Sequence, residues 1–296
     1  MVKHNKRSHC DKVSAALQFC PWSGRYASGE WNKVKRRILL MYKVNRTILI
    51  AVLLSLFWVG NAQSKEVTTP KIKAIAFDAF PIFDPRPIGK AAEEAFPNQG
   101  QKLMNVWLSR IFEYQWLRVL GGRYENFMQT AESGLVFAAK KMNLELTPEK
   151  KNKLLSTFTN LNAWPDASVS IKKLKEMGLE LVFLSNMTEE MLNNGLKRAN
   201  LDKDFTLTIS TDSINSYKPA PEAYNLAVEK LSLKKEEILF VAFAGWDAAG
   251  AKWYGYPTFW VNRLDAPREE LGAVPDGSSN DLSGLIEFVS KINQSK

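Results

Sequence analysis

Asp78, Ser185, Asn186, Lys218 and Asp247 are the residues of this 296-residue sequence whose types and spacing suit chemistry. A carboxylate can attack a carbon or take a proton, a neighbouring ammonium keeps it ionised, and a hydroxyl with an amide can hold a small anion. No imidazole or thiol competes for these roles. Both histidines (His4, His9) and both cysteines (Cys10, Cys20) precede residue 47. Beyond that point the chain cannot build a Ser-His-Asp or Cys-His system, a His- or Cys-liganded zinc site, or a disulfide. Taken singly, each candidate has a plainer reading: Asp78 and Asp247 as helix caps, Ser185-Asn186 as turn residues, Lys218 as a surface cation. Lys218 does stand out locally, because Pro219-Ala220-Pro221 makes the loop stiff and Tyr224 follows six residues on.

The elements around these residues give them a common address. Four apolar runs rich in β-branched or aromatic residues read as buried strands: 72–77, 179–184, 238–243 and 257–261. Helical patterns follow at 172–177, 188–199, 221–231, 248–254 and 282–292, with Thr188 as an N-cap ahead of Glu189 and Glu190. Strands alternating with helices imply an α/β fold with a doubly wound, Rossmann-like parallel sheet. All the candidates then fall at the carboxyl ends of its strands or in the loops there, where such sheets bind ligands. Between the first strand and the second lie roughly a hundred residues without a strand signal. Helical spacing at 102–120 and 124–142, and a Thr147-Pro148 helix start, make this a helical-bundle cap inserted over the carboxyl ends. The expected division is a core of 71–86 and 164–296, with a cap of 87–163.

Charge divides the chain differently. Of 40 Lys plus Arg and 31 Asp plus Glu, residues 1–46 hold 11 basic and two acidic side chains, which accounts for the whole formal charge of +9. The rest carries 29 of each sign, so nothing in the body argues for a nucleic-acid partner. Thr47–Val59 is 13 residues without a charge, shorter than the ~20 of a membrane span. With Lys43 and Arg46 before it and Gly60-Asn61-Ala62 after it, 41–62 reads as a signal peptide cleaved after Ala62. A periplasmic or secreted protein is expected, with 63–70 as a polar linker. An uncleaved anchor is the rival reading, and the only membrane contact foreseen. Residues 1–40 read as an upstream extension, untranslated or unstructured; nucleic-acid contact is the alternative for that stretch.

In finer detail the residues resemble a known family. The order Asp78, Ser185-Asn186, Lys218, Asp247 is similar to the four motifs of the haloacid dehalogenase superfamily. The stretches FDAF (77–80), EYQWLR (113–118), RYENF (123–127), YKPAPEAY (217–224), WDAAGA (246–251) and GYPTFWVNR (255–263) resemble its type II L-2-haloacid dehalogenases. The resemblance covers about residues 71–295. It implies that Asp78 displaces halide from C2 of a short 2-haloacid, forming an ester that water cleaves at the Asp78 carbonyl carbon. Asp247 would direct that water and Lys218 would hold Asp78 ionised. Ser185 and Asn186 would bind the substrate carboxylate, with Tyr224 supporting the polar network. Phe112, Phe127 and Trp246 match the apolar pocket wall, and packing between core and cap is the plainer reading for all three. A homodimer, a small carboxylate as substrate, and no cofactor or metal are also implied. The metal-dependent phosphatases of this fold carry Asp two residues after the nucleophile and four before the last Asp. Here Phe80 and Phe243 stand there, which leaves a Mg²⁺ ion too few oxygen ligands.

Three departures bear on activity. The loop Phe80-Pro81-Ile82-Phe83-Asp84 is one residue shorter than the family's, and lacks its Gly-Thr. The Arg expected after Trp107 to receive the halide is Leu108, and the Ser and Asn expected before the last Asp are Ala242 and Ala244. Each donor lost at a developing charge costs on the order of 2.7–4 kcal/mol, or 10²–10³ in rate. Arg110 points about 200° away from position 108 on an ideal helix and is a poor substitute; Asn105 and Arg123 are further candidates without a place. Two readings follow: a metal-independent hydrolase using Asp78 covalently, or a dehalogenase-like protein with altered or lost activity that binds a small acid or a partner.

Overall fold

The computed structural model describes residues 71–294; the expected leader, upstream extension and linker lie outside the described residues. Strand β1 (Ala74–Phe77) is flanked by β2 (Glu180–Ser185) and β4 (Ile238–Ala242), with β3 (Leu207–Ser210) beyond β2 and β5 (Thr258–Val261) and β6 (Gly277–Ser279) beyond β4. The order is β3-β2-β1-β4-β5-β6 and every pair is parallel. Such a sheet is covered on both faces, which is why its strands read as unbroken apolar runs. Alternation along each strand sends Ile75, Phe77, Phe183 and Val241 to one core cluster. Ala74, Ala76, Leu184 and Phe240 go to the other.

Helices α5 (Ala167–Glu176), α6 (Glu189–Ala199) and α9 (Leu282–Gln294) fill the first face through Ile171, Leu192 and Leu285. Helices α7 (Pro221–Leu231) and α8 (Gly245–Tyr254) fill the second through Tyr224, Ala227, Ala248 and Ala251. Four further helices lie between β1 and β2: α1 (Arg86–Ala95), α2 (Gly100–Leu120), α3 (Phe127–Lys141) and α4 (Pro148–Thr159). They meet around Trp107, whose Nε1 donates to the Ala131 carbonyl at 2.7 Å and whose ring packs edge-on to Phe158. Close approach of α2 and α3 requires Gly134, where a Cβ would stand 3.3 Å from the Ile111 nitrogen.

Several helix starts follow from local chemistry. Thr147 accepts from the Lys150 nitrogen at 3.3 Å ahead of Pro148, and Thr188 accepts from the Met191 nitrogen ahead of Glu189 and Glu190. The expected start of α3 at Tyr124 moves to Phe127, because Asn126 and Gln129 form a reciprocal capping box. Helix α5 begins at Ala167, a turn and a half before the expected Lys172. Sequence reading did not foresee α1, β3 or β6. Prolines 85 and 87 disguise the first turn of α1, although Pro is well suited there. Strand β6 is Gly-Ser-Ser and exists only through pairing with β5. Among the described residues no helix is long and apolar enough to cross a membrane.

Candidate active site

Asp78 is the first residue past β1, held in line by its nitrogen donating to the Val241 carbonyl at 2.9 Å. Ser185 ends β2 and Asn186 follows it, one strand over. Asp247 lies in the first turn of α8, immediately after β4. Lys218 comes from the loop between the short 3-10 helix at Thr211–Ile214 and Pro221, the first residue of α7. Sheet order thus gathers residues far apart in sequence at the ends of three adjacent strands, the crevice such a topology creates.

Lys218 is the centre. Its ammonium is 3.0 Å from Asp78 Oδ1 and 2.6 Å from Asp247 Oδ2, and the side chain is 1% exposed. Neither Asp caps a helix. Ala244, at the N-cap of α8, makes no side-chain bond, and the Asp247 carboxylate instead accepts from Lys218 and from Tyr224 Oη at 2.7 Å. Asp78 Oδ1 also accepts from Ser185 Oγ at 3.2 Å, and Oδ2 receives the Phe80 nitrogen at 3.4 Å.

One ammonium between two carboxylates compensates one negative charge and leaves the other. Burial pushes the Asp247 carboxyl up to about 6; Lys218 acts against this shift and Asp78 adds to it. Burial alone would lower Lys218, but the Asp247 and Asp78 charges outweigh it, and its pKa lies above the ordinary lysine value. Both directions express the same imbalance: the cation is over-supplied with partners, and the more deeply buried carboxylate is under-supplied. Burial and the Asp247 charge raise Tyr224 well above an ordinary tyrosine, so it stays a hydrogen donor.

Beside this cluster lies a cavity of about 480 Å³. Asp78, Lys218, Ser185, Asn186, Phe112, Phe127 and Trp246 all reach its wall. Phe112 and Trp246 also pack edge-on at 5.3 Å, so they join the helical insertion to the sheet as well as lining the cavity. Asp247 and Tyr224 lie behind the wall. Tyr224, expected to support the polar network around the substrate, is fully buried and bonds the Asp247 carboxylate. Asn186, which reaches the wall, is also tied into the scaffold. Its Oδ1 accepts from the Lys218 nitrogen at 2.9 Å and from Thr211 Oγ1, while Nδ2 donates to Gln115 Oε1 and the Lys218 carbonyl. Asn186 thus positions the Lys218 backbone as well as reaching the cavity wall.

Several contributors escaped sequence reading. Gln115 and Trp116 sit in the noted EYQWLR stretch, and Trp116 Nε1 donates to the Lys218 carbonyl at 3.1 Å. Trp164 fixes the loop after Asp78: its Nε1 donates to the Phe80 carbonyl and its backbone nitrogen to the Ile82 carbonyl, both at 2.9 Å. Arg263 donates to the Pro81 carbonyl at 2.9 Å and lies over the Trp164 ring. A Trp or Arg that serves a distant backbone carbonyl leaves no local pattern to find.

The departures have definite places. Leu108 lies on the cavity wall, while Arg110 pairs with Glu113 at 2.6 Å over the Phe137 ring and does not reach it. Asn105 reaches the wall and Arg123 does not. Phe80 and Phe243 put apolar rings 5.7 Å apart where carboxylates would serve a metal. Among the described residues, no three His, Cys, Asp or Glu gather closely enough to hold an ion.

The sequence matches the profile of the haloacid dehalogenase-like hydrolases over residues 59–255. It is similar to (S)-2-haloacid dehalogenase of Pseudomonas sp. (strain YL), 35% identical over 218 residues, covering 73% of this chain and 94% of that one. Haloacetate dehalogenase H-2 of Moraxella sp. (strain B) is 31% identical over 220 residues, covering 74% and 98%. The structure of L-2-haloacid dehalogenase from Xanthobacter autotrophicus with chloropropionic acid covalently bound superimposes with a TM-score of 0.68 at 30% identity, over 74% of this chain and 98% of that one.

Proposed function

The chain belongs to the haloacid dehalogenase-like hydrolases, and from that premise we propose that it hydrolyses the carbon–halogen bond of 2-haloacids without metal, through an ester on Asp78. The observation that carries this reading is the one buried ammonium of Lys218 shared by Asp78 and Asp247, 3.0 and 2.6 Å away, beside an apolar cavity. A parallel sheet needs no such trio, and burying two carboxylates with one ammonium is costly, which supports a functional role for the cluster.

In the first step an Asp78 oxygen attacks C2; the C–O bond forms as the carbon–halogen bond breaks, and the halide leaves with the bonding pair. Lys218, 3.0 Å from Asp78 Oδ1, orients the carboxylate for this attack. In the second step water adds to the Asp78 carbonyl carbon as one of its protons passes to Asp247; the bond between that carbon and the ester oxygen then breaks, the departing oxygen takes a proton back from Asp247 and leaves with C2 as the 2-hydroxy acid, and Asp78 keeps one oxygen from water and gives up the remaining proton to solvent. Ser185 Oγ, on the wall, can turn its hydrogen from Asp78 to the substrate carboxylate. The helical insertion acts as a cap that closes the site against bulk water. Covalently bound chloropropionic acid in the Xanthobacter autotrophicus relative supports the ester.

A second reading rests on Leu108 at the wall, where the resemblance expects an Arg to receive the halide. In that case the protein binds a small acid or a partner and has lost the reaction. Purified residues 63–296 incubated with L-2-chloropropionate and chloroacetate, with and without chelator, separate the two. Halide release that survives chelation and disappears in Asp78→Asn is the expected result. No release from any small haloacid favours the second reading, and release indifferent to Asp78→Asn overturns the ester on Asp78.

A further inference from the structure

The cavity is larger than a two- or three-carbon acid requires, and its surplus is apolar. At the ~30 Å³ share of a water molecule for each heavy atom, the six heavy atoms of 2-chloropropionate occupy roughly 180 Å³. The cavity holds about 480 Å³. That lies in the ~300–1,000 Å³ range of sites that enclose considerably larger ligands. Its reactive polar groups, Asp78, Lys218 and Ser185, are joined on the wall by Met104, Leu108, Phe112, Phe127, Phe243 and Trp246. Of these six, Leu108, Phe112, Phe243 and Trp246 are only partly buried, so apolar surface remains for a ligand to cover. The guanidinium nearest in sequence to Leu108 cannot compete for that space, since Arg110 is bound to Glu113 and the Phe137 ring.

We infer that this site takes 2-haloacids bearing a medium-length alkyl or aryl group on C2, with that group lying along Leu108, Phe112 and Trp246. The inference rests on the dehalogenation reading for its chemistry and on the cavity for its selectivity. A short substrate leaves the rings facing trapped water; each methylene that replaces this water gains transfer free energy equivalent to about fourfold in affinity or kcat/KM. Arg86 and Lys90 of α1 also reach the wall, so a second carboxylate would be drawn to them and away from Leu108, Phe112 and Trp246.

Two measurements separate this inference from the reading beneath it. In the first, bromide release is followed for 2-bromopropionate, 2-bromobutyrate, 2-bromohexanoate and 2-bromo-3-phenylpropionate. The expected kcat/KM rises more than tenfold from the three-carbon to the six-carbon acid, and Met104→Trp, which fills the cavity, reverses the trend. In the second, calorimetry measures binding of 2-hydroxypropionate and 2-hydroxyhexanoate to the wild-type protein, with tighter binding of the longer acid expected. Bromide release that is flat or falls with chain length, together with equal binding of the two hydroxy acids, overturns the inference and leaves dehalogenation standing. A binding preference for the longer acid with no bromide release from any substrate upholds the apolar acid site and overturns dehalogenation.

Discussion

At the scale of single residues, Asp247 shows how burial and charge combine to set a working pH. Its carboxyl is pushed up to about 6 by burial, and the Asp78 charge contributes. Once Asp78 is an ester that contribution is gone, and Lys218 pairs with Asp247 alone, so the pKa in the intermediate falls below the free-enzyme value. Asp247 accepts the water proton only when ionised, so kcat should hold from neutrality down to pH about 6 and decline below it, with ester accumulating on Asp78. Quenched-flow sampling followed by mass spectrometry at pH 5 and 7 measures this directly. A decline already present between pH 8 and 7 would contradict the assignment of Asp247. No alkaline limb is expected near neutrality, because Lys218 is held above its ordinary value and Tyr224 remains protonated. Sequence type and order sufficed to nominate Asp78, Lys218 and Asp247. They did not reveal that Asn186 holds the Lys218 backbone, because an amide between two distant loops leaves no spacing to read.

At the scale of elements, the site depends on helices meeting at small residues. Gly195 in α6 faces Phe83, and a Cβ there would lie 2.5 Å from the ring Cζ. The ring is boxed in by Phe183 at 5.5 Å and cannot easily withdraw. Overpacking of this kind costs about 1–3 kcal/mol, and for a domain of this size each kcal/mol lowers Tm by about 2–4 °C. Gly195→Ala should therefore melt several degrees lower while halide release at 25 °C is retained, because neither residue reaches the cavity. An unchanged Tm in calorimetry would show that the helix shifts to absorb the methyl group. The strong elements were legible from pattern: α4 and α7 begin where Pro148 and Pro221 predict. Weak ones were not. Strand β3 is as short as β1 and β5, but it reads Leu-Thr-Ile-Ser with its first residue exposed, and β6 is Gly-Ser-Ser, so neither forms an apolar run; each exists because a neighbouring strand supplies its partners.

At the scale of the whole chain, charge and chemistry are segregated. Residues 1–46 carry the entire excess of +9, and residues 63–296 carry 29 charges of each sign. Export with cleavage after Ala62 should yield a protein beginning at Gln63 that focuses near neutrality, far from the sequence pI of about 9.4. N-terminal sequencing and isoelectric focusing of the protein recovered from the producing cells test this together; a mature start before Met41 would contradict it. The absence of His and Cys beyond residue 46 limited the chemistry to carboxylate, Lys, Tyr and hydroxyl, and strand–helix alternation required a parallel sheet with its ligands at the carboxyl ends. Composition and short-range periodicity determine those properties, and both are present in the chain before it folds. Only the tertiary structure decided how each group is held: Asn186 on the wall and on the Lys218 backbone, Tyr224 behind it on Asp247, Arg110 on Glu113, and Leu108 on the wall. That outcome depends on where side chains from distant segments meet, and on the cost of leaving a buried polar group without a partner.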